Sequence, residues 1–358
     1  MTEKLTIVGP ASRSTGGIAR YVDEQERILS KFFHMEVHDY SFPRKSHEIG
    51  SFPVSGVKKS LEQFFKFFFR DEPDMLHVHC ASGISFYRSS AYVIYSDLLW
   101  DCGIILHIHG SDFDDFIEHA DPLRKRYIKY VFHSTDKVIV LSKKWKDVVS
   151  GLCPLENIEI LPNAINAKKY TPKYKELNDI NIVFISHMIE RKGVLEMVEA
   201  IRDLDQKTLD RLKIYIAGDG PLKQKVKELS SNIENMEYLG YVSEEKKIKL
   251  LNRGSIYILP SHAEGLPFAI LEAMAGGNAI VSTRVGSIPE IIGPEQGILI
   301  SPKNSRELTA AIEELVASPE RLQNMKRANS EEVRESYSWD SVKEDLISMY
   351  FDMKQETS

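Results

Sequence analysis

The chain has 358 residues, 42% hydrophobic and 27% charged, with a formal net charge of -6. This length predicts two domains and the composition is that of an ordinary globular enzyme, while the acidic balance argues against a nucleic-acid reader, which would carry a basic surface. Cys80, Cys102 and Cys153 are widely spaced, form neither a disulfide framework nor a Cys/His metal pattern, and fit a reducing compartment.

The opening MTEKLTIVGP has no apolar stretch of the secretory kind, and no run approaches the ~20 apolar residues of a membrane span. The expectation is a cytoplasmic protein, free or resting on the inner face of a membrane. From there onward, short apolar runs rich in β-branched residues alternate with amphipathic segments. Strands are predicted at Leu5–Val8, Met35–Tyr40, Met75–His79, Ile104–Ile108, Lys137–Leu141 and Ile158–Leu161. A second series follows at Ile182–Ile185, Lys213–Ala217, Met236–Leu239, Ile256–Leu259, Ala279–Ser282 and Gly297–Ile300. Several are continuous apolar runs, as strands covered on both faces should be. The alternation implies parallel sheets flanked by helices, so the fold class is α/β, two Rossmann-like doubly wound units. The polar stretch around 163–180 separates them, giving domains at 1–168 and 169–337. Two such domains leave a cleft, and the loops after the strands' carboxyl ends are where ligands bind in open α/β sheets.

The first such loop, GPASRSTGGIARY, places Gly16 and Gly17 at a helix start, where backbone and anion can approach closely. It lacks the G-x-G-x-x-G fingerprint and is equally readable as a flexible turn. Further on, VKKSLEQFFKFFFR puts Val57, Leu61, Phe64, Phe65 and Phe68 on one helical face, widened by Phe67 and Phe69, with Lys59, Lys66 and Arg70 opposite. A core helix is the favoured reading; the surplus aromatic and basic residues of 57–70 also suit contact with a lipid surface.

His109-Gly110 ends the fourth strand, with His107 two residues back on the same face. A lone histidine is more often structural, but this position favours a functional one. Asp112-Phe113-Asp114 has a D-x-D form, matched equally by Asp203-Leu204-Asp205, and reads as a solvated loop rather than a metal site. Arg191 and Lys192, before Gly193 in ISHMIERKGV, are cations in a strand-to-helix loop and suit a diphosphate; solvated surface cations are the alternative.

The most informative segment is LPSHAEGLPFAILEAMAGGNAIVST. A strand ends near Pro260 and a helix begins near Pro267, so the amides around Gly265, Leu266, Pro267, Phe268 and Ala269 belong to a helix N-terminus suited to phosphate oxygens. Glu264 lies in the loop. Glu272 lies in the helix among Ile270, Leu271, Ala273 and Met274, and a carboxylate so surrounded needs a partner, which ribose hydroxyls could supply.

Taken together and in order, Gly16-Gly17, His109-Gly110, Pro162-Asn163, Arg191-Lys192-Gly193, Ala217-Gly218-Asp219-Gly220-Pro221 and EGLPFAILE with its E-x7-E pair resemble the retaining glycosyltransferases of family 4, over nearly the whole chain. The resemblance implies a GT-B fold, the two domains facing across a cleft, with the helix 338–354 returning to the N-terminal acceptor domain. It implies a nucleotide-diphosphate sugar donor and a glycan, lipid-linked or other hydroxyl acceptor. Lys192 would contact the diphosphate, assisted by Arg191; Glu272 the ribose; Glu264 the sugar hydroxyls; the amides near Phe268 and Ala269 sugar and phosphate. His109 would face the reacting sugar and Gly17 the phosphate or acceptor. No cofactor and no metal are expected, since these electrostatics would stabilise the leaving group. Two departures stand out: His187 where many relatives have arginine, and Asn163-Ala164 where they often have Asn-Gly. The competing functions are a sugar-nucleotide epimerase of the same fold and a catalytically silent nucleotide-sugar-binding subunit.

Overall fold

The computed structural model describes residues 3–11, 16–40, 54–174 and 180–357, with backbone alone at 54–57, 59 and 354–357. Twelve strands form where the apolar runs predicted them: β1 Lys4–Gly9, β2 His34–Asp39, β3 Met75–Cys80, β4 Gly103–Ile108, β5 Lys137–Val140, β6 Ile158–Ile160, β7 Ile180–Ile185, β8 Leu212–Ala217, β9 Met236–Tyr238, β10 Ile256–Leu259, β11 Ala279–Thr283 and β12 Gly297–Ile300. They make two six-stranded sheets, ordered β2-β1-β3-β4-β5-β6 and β12-β11-β10-β7-β8-β9, and every pairing is parallel. β3, β4, β10 and β11 are buried along their whole length, the consequence of helices covering both sheet faces.

The chain divides into two units, Met1–Asn163 with Val342–Ser358, and Ala164–Ser341. In the first, the order reverses between β1 and β3; in the second, between β7 and β10. At such points consecutive connections leave the sheet in opposite directions, opening a crevice at the strands' carboxyl ends. The last helix, Trp339–Thr357, carries Tyr350 and Met353 into the first unit. Tyr350 is fully buried, and its hydroxyl lies 3.0 Å from the Gln25 carboxamide and 2.6 Å from His77 Nδ1.

One expected face is corrected. The helix Val54–Phe68 forms, but it does not turn Leu61, Phe65 and Phe68 inward: they are 53%, 59% and 46% exposed, and Phe69 beyond it is 81% exposed. Phe67 is the core residue, ringed by His38, Tyr92, Tyr95 and Trp100 at centroid distances of 4.9–5.8 Å, with half-buried Phe64 beside it. Aromatics crowd this helix on every side, so spacing alone leaves the inward direction undetermined; the socket made by Tyr92 and Trp100 selects Phe67. Val57 lies outside the described side chains, as do residues 12–15 of the first loop and 175–179 of the interdomain stretch.

Candidate functional site

In the second unit the loops after β7 and β10 meet at the reversal of strand order. After β7 the chain runs through Ser186 into a short 3-10 turn, Glu190–Lys192, then into the helix Val194–Arg202 through Gly193 at φ +69°. A Cβ there would lie 2.1 Å from the Pro260 carbonyl oxygen, so only glycine lets this loop close against the end of β10. The two loops are then stapled: His262 N–H donates to Arg191 O at 2.8 Å, and the Arg191 guanidinium donates to Ala263 O at 2.6 Å. Arg191 therefore contributes to the shape of the site as well as to its charge.

Lys192 Nζ lies 2.5 Å from Glu264 Oε1, and both side chains are largely buried. The ammonium expected at the diphosphate and the carboxylate expected at the sugar hydroxyls thus touch each other in the protein alone. The turn after Glu264 is braced from a third loop. Ser287 N–H donates to Gly265 O at 2.9 Å, and Gly286, at φ +56°, passes where a Cβ would be 1.9 Å from Glu264 O. Leu266 and Pro267 are buried; Phe268 and Ala269 remain half exposed. The helix Phe268–Ala275 starts here with Pro267 as N-cap and no capping side-chain hydrogen bond, and its N-terminus is the positive end of the helix dipole.

Glu272 is 8% exposed, and its partner is one that sequence reading missed: Lys247 Nζ, 2.6 Å away. Lys247, from the helix Glu244–Arg253, also pairs with Glu244 at 2.9 Å. The signal was weak, because KKIKL presents several interchangeable lysines and only the fold says which one enters the core. His187 stands beside this loop. Desolvation by the packed loop, then repulsion from Lys192, lowers its pKa, with Asp219 opposing. It is therefore uncharged at neutral pH and no substitute for an arginine.

The first unit holds His109 at the end of β4, 9% exposed, with both ring nitrogens engaged: Nδ1 with Asn163 Oδ1 at 3.1 Å and Nε2 with His79 Nδ1 at 2.9 Å. Burial pulls its pKa down to about 3, the Asn163 bond opposing weakly. It is a fixed, neutral imidazole rather than a poised base. Gly17 opens the helix Gly17–Leu29, with Gly16 as N-cap. In the two D-x-D stretches Asp114 pairs with Lys144 at 3.6 Å, and Asp205 caps the helix Gln206–Leu209.

Two family models match, one after the other: Glycosyltransferase Family 4 over residues 15–169 and Glycosyl transferases group 1 over residues 167–332. The chain is 29% identical over 245 residues to an uncharacterized glycosyltransferase of Methanocaldococcus jannaschii, covering 66% of this chain and 64% of the relative. It is 25% identical over 275 residues to the putative teichuronic acid biosynthesis glycosyltransferase TuaC of Bacillus subtilis, 72% of this chain and 64% of TuaC. It is 27% identical over 249 residues to a subunit of the human phosphatidylinositol N-acetylglucosaminyltransferase, 66% of this chain and 50% of that relative. The matched stretches thus span between half and two thirds of these relatives. Among solved structures, a sucrose-phosphate synthase from Thermosynechococcus elongatus superposes with a TM-score of 0.80 at 15% identity, covering 99% of this chain and 100% of that one. Anabaena HepE, solved with UDP and glucose, superposes at 0.70 and 15% identity, covering 98% and 100%.

Proposed function

The chain belongs to the group 1 glycosyltransferases, and from that premise we propose that it transfers a sugar from a nucleotide-diphosphate sugar to a hydroxyl of a glycan or lipid-linked acceptor, with retention of configuration and without a metal. The observation that carries this reading is Lys192, held with Arg191 at the Glu264–Ala269 turn that opens a helix. When the anomeric C–O bond breaks, negative charge accumulates on the departing phosphate oxygen. Lys192, Arg191 and the N-terminal end of the helix Phe268–Ala275 stabilise that charge, fixed in place before the donor arrives. Glu264 then accepts from sugar hydroxyls, having released Lys192 to the diphosphate, and Glu272 accepts from the ribose. These carboxylates orient the donor; they do not flank the scissile bond as a glycosidase pair does.

Retention follows if the departing phosphate takes the acceptor proton on the face it leaves. The engaged nitrogens of His109 support this reading, because they leave no free base there. Gly17 and His109, at the carboxyl ends of β1 and β4, are assigned to the edge that meets the substrate. The UDP held by HepE makes uridine nucleotides the first donors to screen. The lipid acceptor class draws support from the phosphatidylinositol-named relative and from exposed Leu61, Phe65, Phe68 and Phe69, which suit an interfacial helix; no helix among the described residues is long and apolar enough to cross a membrane.

Lys192→Ala tests the proposal. Turnover should fall about 10²- to 10³-fold with the far-ultraviolet circular dichroism unchanged. Near-normal turnover would remove Lys192 from the diphosphate, and an epimerised nucleotide sugar formed without acceptor would replace transfer by epimerisation.

A further inference from the structure

The first unit encloses a file of polar side chains that the proposed chemistry does not use directly. It runs Asn163 to His109 at 3.1 Å, His109 to His79 at 2.9 Å, His79 to Gln25 at 2.8 Å, Gln25 to Tyr350 at 3.0 Å, Tyr350 to His77 at 2.6 Å and His77 to His107 at 3.2 Å. Every member is buried, and Tyr21 packs edge-on against His79, His107 and His109. At the far end, His107 Nε2 is buried without a hydrogen-bond partner.

Burial lowers the pKa of all four imidazoles, with mutual repulsion adding to it at His77, His79 and His107; all are neutral at pH 7. A neutral imidazole has one donor and one acceptor nitrogen. Each ring therefore transmits the direction of one hydrogen bond to the next, and two patterns alone satisfy all six links while also giving the buried Tyr350 hydroxyl proton an acceptor. If Asn163 donates through its amide, all four rings carry the proton on Nε2 and the file ends in a buried, orphaned His107 N–H. If Asn163 accepts, Gln25 turns its carboxamide to donate to His79, Tyr350 donates to Gln25, and all four rings carry the proton on Nδ1. The file then ends in an unused His107 lone pair. Orphaned buried N–H groups are rarer than unused acceptors, which favours the second pattern. A mixed set would set donor against donor or acceptor against acceptor, or would make Tyr350 accept from both Gln25 and His77 and strand its own hydroxyl proton in a dry interior, in each case at the cost of an unmade hydrogen bond.

We propose that Gln25, His79 and Tyr350 are positioning residues that lock His109 in a single orientation and tautomer, Nδ1–H, tying the end of β4 to the C-terminal helix. The positioning role rests on the reading of His109 as a substrate-facing residue; the tautomer lock does not. A metal is the competing use of these rings, since ligand atoms of His77, His79 and His107 lie within 4.8 Å of one another. Yet the His77 and His79 rings stack 4.4 Å apart at 19°, so their lone pairs lie in nearly parallel planes and do not converge. Both nitrogens of each are also already bonded.

The test is a long-range ¹H–¹⁵N imidazole spectrum of the full chain at pH 7.5, assigned by single substitutions. Four buried rings of one tautomer, Nδ1–H, unmoved by added zinc, are expected. A mixed set, an Nε2–H set, or a zinc-dependent shift would overturn the lock. Gln25→Leu, which cuts the file while keeping its bulk, should release a second tautomer in the His79–His109 pair. It should also lower kcat about tenfold, the equivalent of one lost hydrogen bond, with donor KM unchanged. Unaltered spectra and kcat in Gln25→Leu would refute the coupling. Unchanged turnover in His109→Ala would sink the substrate-facing reading and the positioning role with it, while leaving the spectral result to decide the lock.

Discussion

Lowering the pH from 7.5 to 5.5 should remove most of the first unit's stability. Five of its histidines are buried in neutral form. Burial depresses His77 and His109 to about 3 and His38 to about 4, the last helped by the Arg70 charge, and holds His79 and His107 well below the usual value. In the unfolded chain each titrates near 6.5. The folded pKa is the lower one, so the unfolded state binds more protons throughout the window between them. Stability is complete above about pH 6.5 and declines as pH falls toward the folded values. At pH 5.5 each such group costs about 1.4 kcal/mol. The five together cost roughly 7 kcal/mol, a large part of the 5–15 kcal/mol that holds a domain folded. At about 2–4 °C per kcal/mol for a domain of this size, the first unit's transition should drop by roughly 15–25 °C. Differential scanning calorimetry at constant ionic strength measures this. A drop of less than about 3 °C would mean that these histidines are hydrated or charged in the folded protein, and the proton counting along the file would fail with it.

Three further outcomes are expected. Removing either member of the buried Lys247–Glu272 pair breaks an ion pair away from water: Lys247→Met alone should cost about 3–5 kcal/mol in denaturant melts, Glu272→Leu less because Lys247 keeps Glu244, and the double variant should recover most of the larger loss. Nucleotide affinity should stay lost in the double variant; its return would remove Glu272 from the ribose. Phe65→Ser with Phe69→Ser should abolish sedimentation with anionic liposomes without lowering the melting temperature, because both rings are exposed and cover little core; undiminished sedimentation would reject membrane contact by this helix. Chelation should leave transfer activity intact, and activity lost to chelator and restored by manganese would bring Asp112 and Asp114 back as metal ligands.

Strand positions, their parallel arrangement and the cations of the β7 loop were legible because they depend on local properties. A β-branched apolar run between turn residues is a buried strand in almost any context. Glycine before a helix, cations after a strand and proline at a helix start carry their meaning over a few residues. Local pattern alone therefore placed twelve strands, two doubly wound units and the loops 186–193 and 260–269.

What tertiary structure decided was which of several equivalent residues is used. Helical period places Leu61, Phe64, Phe65, Phe67 and Phe68 around one axis but does not say which side faces the sheet; Tyr92 and Trp100, from another helix and its end, chose Phe67. Glu272 announced its need for a partner, but Lys247 became that partner only when the helix 244–253 packed beside it. His77, His79, His107, Gln25 and Tyr350 are separated by up to 325 positions along the chain, and nothing local links them. Hydrogen-bond complementarity is a property of pairs brought within about 3 Å, and only the fold brings them there.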